Sequence, residues 1–268
     1  MTIPNPSPSD VPLGTGLPTQ GELLAHYPAK FTWNQLKTFV NSGDLGLLKR
    51  DKKLQQRYNL WSVGIKEQYG SMVNYLLKYR LQWGKPDTLT LLPSTLKPKD
   101  SETNPNTPTN SLPPPQYFTR DVPPEYVSII QNDWPYSVSV EHTLIWTKLP
   151  IYHTDTVAPS INARINQDGI WGFTGHTSPP PSPSTLPLCL PALSEWGITE
   201  DKMIVSPKCS EEEEELVRKA GVEVNEFVRK RWDEDEWETA WFVNPPRLQS
   251  IPDLAHIHVF ARRKTWRQ

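Results

Sequence analysis

Ala255-His-Ile-His-Val-Phe-Ala-Arg-Arg-Lys264, preceded by Trp241-Phe-Val-Asn-Pro-Pro-Arg-Leu-Gln-Ser250, is the stretch on which the fold turns. Its residues alternate with the period of a strand. His256 and His258 therefore leave one face, with neighbouring side chains about 7 Å apart, while Ile257 and Val259 point to the other. Two imidazoles that titrate near neutrality, held on a rigid ladder, make a candidate site. A solvated strand face explains the same alternation, so both readings stand at this level.

Working outward, Val243 and its neighbours read as the preceding strand, which Pro245-Pro246 ends. Further back, Ser210 and the run Glu211 to Glu215 open a segment that closes on Arg229, Lys230 and Arg231. Acid at the start and base at the end is the charge order that a helix dipole favours. Val217, Ala220, Val224 and Phe227 share a stripe, which predicts one long helix lying on a sheet. Tyr126-Val-Ser-Ile-Ile130 is β-branched and apolar, Asn132-Asp-Trp-Pro-Tyr136 turns the chain, and Val138 to Lys148 reads as a buried strand. The order strand, helix, strand, strand predicts an antiparallel α+β unit with the histidine pair near the middle of its sheet.

The N-terminal half is helical in pattern. Thr32-Trp-Asn-Gln35 has capping-box spacing, and Trp33, Leu36 and Val40 follow it at helical intervals. Leu54, Tyr58, Trp61 and Ile65 form a second stripe, and Met72, Tyr75, Leu76, Tyr79 and Trp83 a third. The expected organisation is a tail without fixed structure over 1–28, a helical subdomain over 29–84, a Pro/Ser/Thr-rich insertion over 85–118, and an α+β domain over 119–268. Within that last domain a proline-rich insertion runs from about 152 to 193, a lid at most. Its tract Ser178-Pro-Pro-Pro-Ser-Pro-Ser184 suits a spacer or a docking segment for a protein partner.

The 268 residues carry 28 Lys plus Arg against 30 Asp plus Glu, a balance that gives no field for a polyanion or an anionic membrane. No nucleic-acid or membrane partner is expected; a small-molecule ligand is. Lys49, Arg50, Lys52, Lys53, Arg57, Lys66, Lys78 and Arg80 are interleaved with aromatics, and are read as the polar side of amphipathic helices. Cys189 and Cys209 have neither metal nor disulfide spacing, the start lacks a basic segment followed by an apolar run, and no stretch nears about 20 apolar residues. These features predict a soluble, cytoplasmic chain with reduced thiols and no cofactor. Trp232-Asp-Glu-Asp-Glu-Trp-Glu238 lacks the spacing of a calcium loop. Oligomeric state is not legible.

Around the histidine pair the candidate ligand contacts are Asp133, Trp134, Tyr136, His142 and Lys148. Asp133 caps a turn between flat aromatic faces, and His142 and Lys148 share one side of their strand. A metal would need a third ligand from His142, His153, Asp133 or Glu141.

The order His142-Thr-Leu-Ile-Trp-Thr-Lys148, Asn244, Gln249-Ser250, His256-Ile-His258 resembles the histidine-triad superfamily of nucleotide hydrolases and transferases. That resemblance implies His258 as nucleophile, His256 as the first histidine, and Asn244, Gln249, Ser250 and Lys148 around a phosphate. Phe260 stands in the place of the third histidine. A second resemblance covers most of the chain. Trp33 with Leu36, Asp44-Leu-Gly-Leu-Leu-Lys-Arg50, Tyr58 to Trp61, Tyr69-Gly-Ser71, Leu81-Gln-Trp83, Asn132-Asp-Trp-Pro-Tyr136, Leu248-Gln-Ser250 and His256-Ile-His-Val259 are similar to the fungal N-acetylglucosamine-induced protein 1 family. Together they imply a cytoplasmic protein that binds or acts on a nucleotide, sugar phosphate or amino-sugar derivative. A non-catalytic sensor or interaction module, and a metalloprotein using the histidine pair, are the alternatives.

Overall fold

The computed structural model describes residues 6–87, 115–136, 140–153, 155–203, 210–249, 251 and 254–264. Ser250, Val138, Ser139, Cys209 and most of the 85–118 insertion lie outside them. Five strands, β1 (Val127–Gln131), β2 (Glu141–Thr147), β3 (Ile170–Thr174), β4 (Trp237–Val243) and β5 (Ala255–Arg263), form one antiparallel sheet in the order β1-β2-β5-β4-β3. The histidine-bearing strand is thus central, flanked by β2 and β4. Mixed helices around an open antiparallel sheet make the chain α+β.

Both faces of the sheet are buried. Trp241, Val243, Ile145, Ile257 and Val259 pack against α5 (Asn162–Asp168), α6 (Glu211–Ala220) and α7 (Val222–Arg231). On the opposite face Ala240, Phe242 and Phe260 lie under α2 (Trp33–Ser42), while Leu144 and Trp146 lie under α4 (Met72–Tyr75) and the π-helical turn Leu76–Arg80 that continues it. Of the two readings of β5, the solvated strand face is overturned: His256 and His258 are each only 5% exposed. A strand with Trp, Leu, Phe and Ala neighbours on its histidine side borders enough apolar surface to recruit a second helical layer.

Three further differences have physical causes. The tail expected over 1–28 carries α1 (Gln20–His26), whose Thr19 and Glu22 form a complete capping box. Glu22 also accepts from Gly14 N and from Arg57 on α3 (Lys52–Tyr69). Burial pushes its carboxyl up, and these bonds outweigh that and bring it down to about 2. The signal Thr19-Gln-Gly-Glu22 was present, but prolines around it dominated the composition. Residues 152–193 are no mere lid, because they supply α5, the edge strand β3 and the start of a run of 3-10 turns, Pro183–Trp196. Leu186, Cys189 and Leu193 bury that run against α2, and Cys189 is a free thiol. The long helix is two helices broken at Gly221 (φ −93, ψ 0).

Trp241 explains the break. A Cβ at Gly221 would sit 2.8 Å from its ring and one at Gly172 of β3 would sit 2.5 Å from it, while its Nε1 donates to Asn225 at 3.0 Å. The indole therefore fits between helix junction and sheet only where two side chains are missing. At the β1 edge the chain itself closes the ladder: Gly84 N donates to Val127 O, Gln82 N to Ser128 Oγ and Gln131 N to Asp87.

Gly172→Ala is expected to cost about 1–3 kcal/mol by forcing Trp241 aside, the usual penalty of overpacking. Gly64→Ala, on α3 with nothing within 4 Å of the added methyl, should instead be neutral or stabilising by up to about 1 kcal/mol. Urea unfolding of the two variants measures the contrast; equal effects would remove the packing account.

Candidate functional site

The face of β5 that carries the histidines opens, between the sheet and the N-terminal helices, into a cavity of about 280 Å³. This lies at the small end of ligand-binding cavities. β5 supplies His256 and His258, β2 supplies Leu144 and Trp146, and the β1–β2 turn supplies Asn132, Asp133, Trp134 and Tyr136. Tyr58 and Trp61 come from α3, Tyr75 from α4, Arg80 from the π turn, Trp196 from the end of the 3-10 run and Asn244 from the end of β4. Much of the wall is aromatic.

The imidazoles are stacked on other rings. His256 lies 4.2 Å from Trp146 and 4.9 Å from His258, and His258 lies 4.5 Å from Phe242 in near-parallel planes. A third imidazole joins them from β2 rather than β5. His142 pairs with Phe260 across the ladder, diagonal to His258, and its Nε2 lies 3.1 Å from His258 Nδ1. Phe260, where the third histidine of the triad pattern would stand, packs 4.2 Å from the His142 ring. Burial lowers all three: His256 to about 4, and His142 and His258 well below their usual value, with Arg50 adding to the effect on the latter two. All are neutral at pH 7.

Neutrality fixes where the protons sit. Asn132 Oδ1 accepts from Trp134 N at 3.0 Å, so its Nδ2 is the atom that donates to His142 Nδ1 at 3.3 Å. His142 then carries its proton on Nε2 and donates it to His258 Nδ1, which leaves the His258 proton on Nε2. The amide of Asn244 lies 3.3 Å from that nitrogen; with a proton there, a half-turn of the amide presents its oxygen as acceptor. If both amides donated, two protons would meet between the rings. Asn132 is pinned by Trp134, so Asn244 is the one that turns. His256 is ordered differently, because its Nδ1 faces the carbonyl of Leu254 at 3.2 Å and a carbonyl only accepts. Its Nε2 therefore bears a lone pair, and no described residue bonds to it.

Charge around the cavity is uneven. Arg80, 2% exposed, donates to both oxygens of Asp133 at 2.8 and 3.0 Å and to both of Asp87 at 2.7 and 3.1 Å. Burial works against its charge, and the two carboxylates outweigh that and keep it protonated. Arg50 differs. Its guanidinium lies over Tyr58 at 5.0 Å and Tyr136 at 5.4 Å, its buried Nε has no hydrogen-bond partner, and no carboxylate pairs with it among the described residues.

Of the residues singled out from the sequence, His256, His258, Asn244, Asp133, Trp134 and Tyr136 line the cavity, and His142 is bonded behind them. Lys148 is exposed over the ring of Trp83 at 4.8 Å, and Gln249 donates weakly to the backbone of Asn244, so neither reaches the cavity. Ser250 lies outside the described residues. Arg50, Arg80, Asn132, Tyr58 and Trp196 were missed as site residues: the arginines looked like the solvated side of helices, and Trp196 sat just beyond a segment read as an insertion. Among the described residues no group of three His, Cys, Asp or Glu gathers to hold a metal ion, so the metal reading finds no third ligand there. No helix among them is long and apolar enough to cross a membrane.

The buried imidazoles make stability depend on pH. An unfolded histidine takes up a proton near 6.5, whereas native His256 resists until about 4. The contribution of His256 to stability is therefore full above about 6.5, falls as pH drops below it, and levels off under about 4. His256 alone should cost about 2 kcal/mol between pH 7 and 5. Urea unfolding at the two pH values should show that loss, reduced in His256→Phe; a flat profile would contradict the buried, neutral rings.

No solved structure matches the chain. N-acetylglucosamine-induced protein 1 of Candida albicans (strain SC5314 / ATCC MYA-2876) is 26% identical over 130 residues, 45% of this chain and 44% of that protein. The aligned part thus spans less than half the length of this curated relative. A family described as "Protein of unknown function (DUF3605)" matches residues 32–168 and 202–262. The two segments hold α2 to α7, β1, β2, β4 and most of β5, and with them every cavity residue named above except Trp196; β3 falls in the interval between. By a match that takes in well over half of its residues, the chain belongs to the DUF3605 family.

Proposed function

We propose that the cavity binds a small anionic molecule with a ring to stack, such as a sugar phosphate, an amino-sugar derivative or a mononucleotide. The observation that carries this reading is Arg50: a cation over two tyrosines at the wall of a cavity lined in good part by Tyr and Trp rings, with no carboxylate partner among the described residues. Arg50 is half-buried with its Nε shielded from solvent and unpartnered, and an incoming anion can supply the charge-assisted hydrogen bond that the protein does not. Three neutral imidazoles nearby add no competing charge. The aromatic wall offers the flat faces on which sugars and bases stack.

Binding is better supported than transfer through His258. A nucleophilic imidazole needs a bare nitrogen facing its substrate. The proton order above leaves neither nitrogen of His258 bare, since Nδ1 accepts from His142 and Nε2–H is given to Asn244. The histidine-triad resemblance therefore enters as a way of placing an anion beside a strand, not as a reaction. The name of the Candida albicans relative, N-acetylglucosamine-induced protein 1, adds a reason to include amino sugars and their phosphates among the ligands tried. A ligand-sensing role in the cytoplasm, where the thiol of Cys189 stays reduced, is the setting we infer.

Arg50→Gln should leave the unliganded protein within about 1 kcal/mol of its parent, since only stacking is lost. Affinity for phosphate esters, read by thermal shift and calorimetry, should fall at least about tenfold, the effect of losing one charge-assisted contact. Undiminished phosphate binding in Arg50→Gln would overturn the reading.

A further inference from the structure

Several acceptors around the cavity are already engaged by the protein's own donors. Both oxygens of Asp133 accept from Arg80. Asn132 Oδ1 accepts from Trp134 N, and His258 Nδ1 accepts from His142. With its amide turned, Asn244 commits its oxygen to His258 and directs its NH2 elsewhere. Among the described imidazole nitrogens and asparagine oxygens of the wall, His256 Nε2 is the acceptor with no described partner, since Nδ1–H is held by Leu254 O and the ring is fixed against Trp146. Burial keeps the lone pair bare at neutral pH.

We propose that His256 sets the selectivity of the cavity: its Nε2 accepts a hydrogen bond from a hydroxyl carried by the same small molecule whose anionic group meets Arg50. The preferred ligand class is then a phosphorylated sugar or polyol, and the phosphate ester of an alcohol with no further hydroxyl is rejected. This deepens the anion-binding reading and rests on it. A buried acceptor faced by a ligand with nothing to donate is left unsatisfied, which is the source of discrimination. The neighbouring His258 offers a ligand neither lone pair nor free proton, since its Nδ1 accepts from His142 and its Nε2–H is given to Asn244, so of the two rings it is His256 that reads the ligand.

The test is calorimetric titration of the full chain with glucose 6-phosphate, phenyl phosphate and inorganic phosphate. The wild type should bind glucose 6-phosphate at least about tenfold more tightly than phenyl phosphate, one buried hydrogen bond. His256→Phe, which keeps a ring against Trp146, should bring that ratio to about one by weakening the sugar phosphate alone. His256→Gln, which restores an acceptor, should recover part of it. Far-UV circular dichroism and thermal melts establish that each variant is folded. A preference that survives in His256→Phe, or equal losses for both esters, overturns the role of His256. So does a wild type without preference; if both esters are then lost in Arg50→Gln, anion binding itself stands. Failure of the wild type to bind any of the three overturns both.

Discussion

Burial of both faces of the sheet is the constraint from which the remainder follows. A strand that alternates histidine with aliphatic residues is ordinary when one side meets water. Once the N-terminal helices cover that side, each imidazole must shed its charge and find a partner for every N–H. The chain meets this with neighbours already in register: His142 diagonal to His258, Leu254 O beside His256, and Asn132 and Asn244 at the ends of the row. Because Asn132 is tied to Trp134 N, the direction of the whole row is set by one backbone bond.

The strands were legible because alternation and turn residues are local signals. Tyr126 to Ile130, the Asn132 to Tyr136 turn and the His256–Val259 run fell where the pattern put them, and β5 is central as the strand order implied. Three features were hidden for physical reasons. β3 is short and contains Gly172, where Trp241 approaches, so it lacks the side chain that would have marked it as a strand. Gly221 interrupts a helix whose charges and apolar stripe run straight through the break. α1 sits among prolines, and its stability comes from Arg57, some 35 residues away. Long-range pairing of this kind leaves no trace in a local window.

The site divides along the same line. The imidazoles, Asp133, Trp134, Tyr136 and Asn244 were visible as polar or aromatic residues at strand ends and turns. Arg50 and Arg80 were not, although they are chemically alike in sequence. What separates them is environment: two carboxylates surround Arg80 and fix the shape of the turn, whereas Arg50 rests on tyrosines with no carboxylate beside it among the described residues. Only the folded chain separates the arginine that ties a turn from the one that rests on tyrosine rings.

The strap formed by Gln82, Gly84 and Asp87 along β1 has a bearing on colloidal behaviour. An open sheet exposes two ladders of unsatisfied amides, each a template for a foreign strand and so a seed for fibrils. Here one ladder is occupied by the chain's own backbone and a carboxylate, and the other belongs to the five-residue β3. Recruitment of a neighbouring molecule edge to edge must therefore either peel away the strap or settle for a very short, glycine-interrupted seam, which protects a proline-rich chain from polymerising.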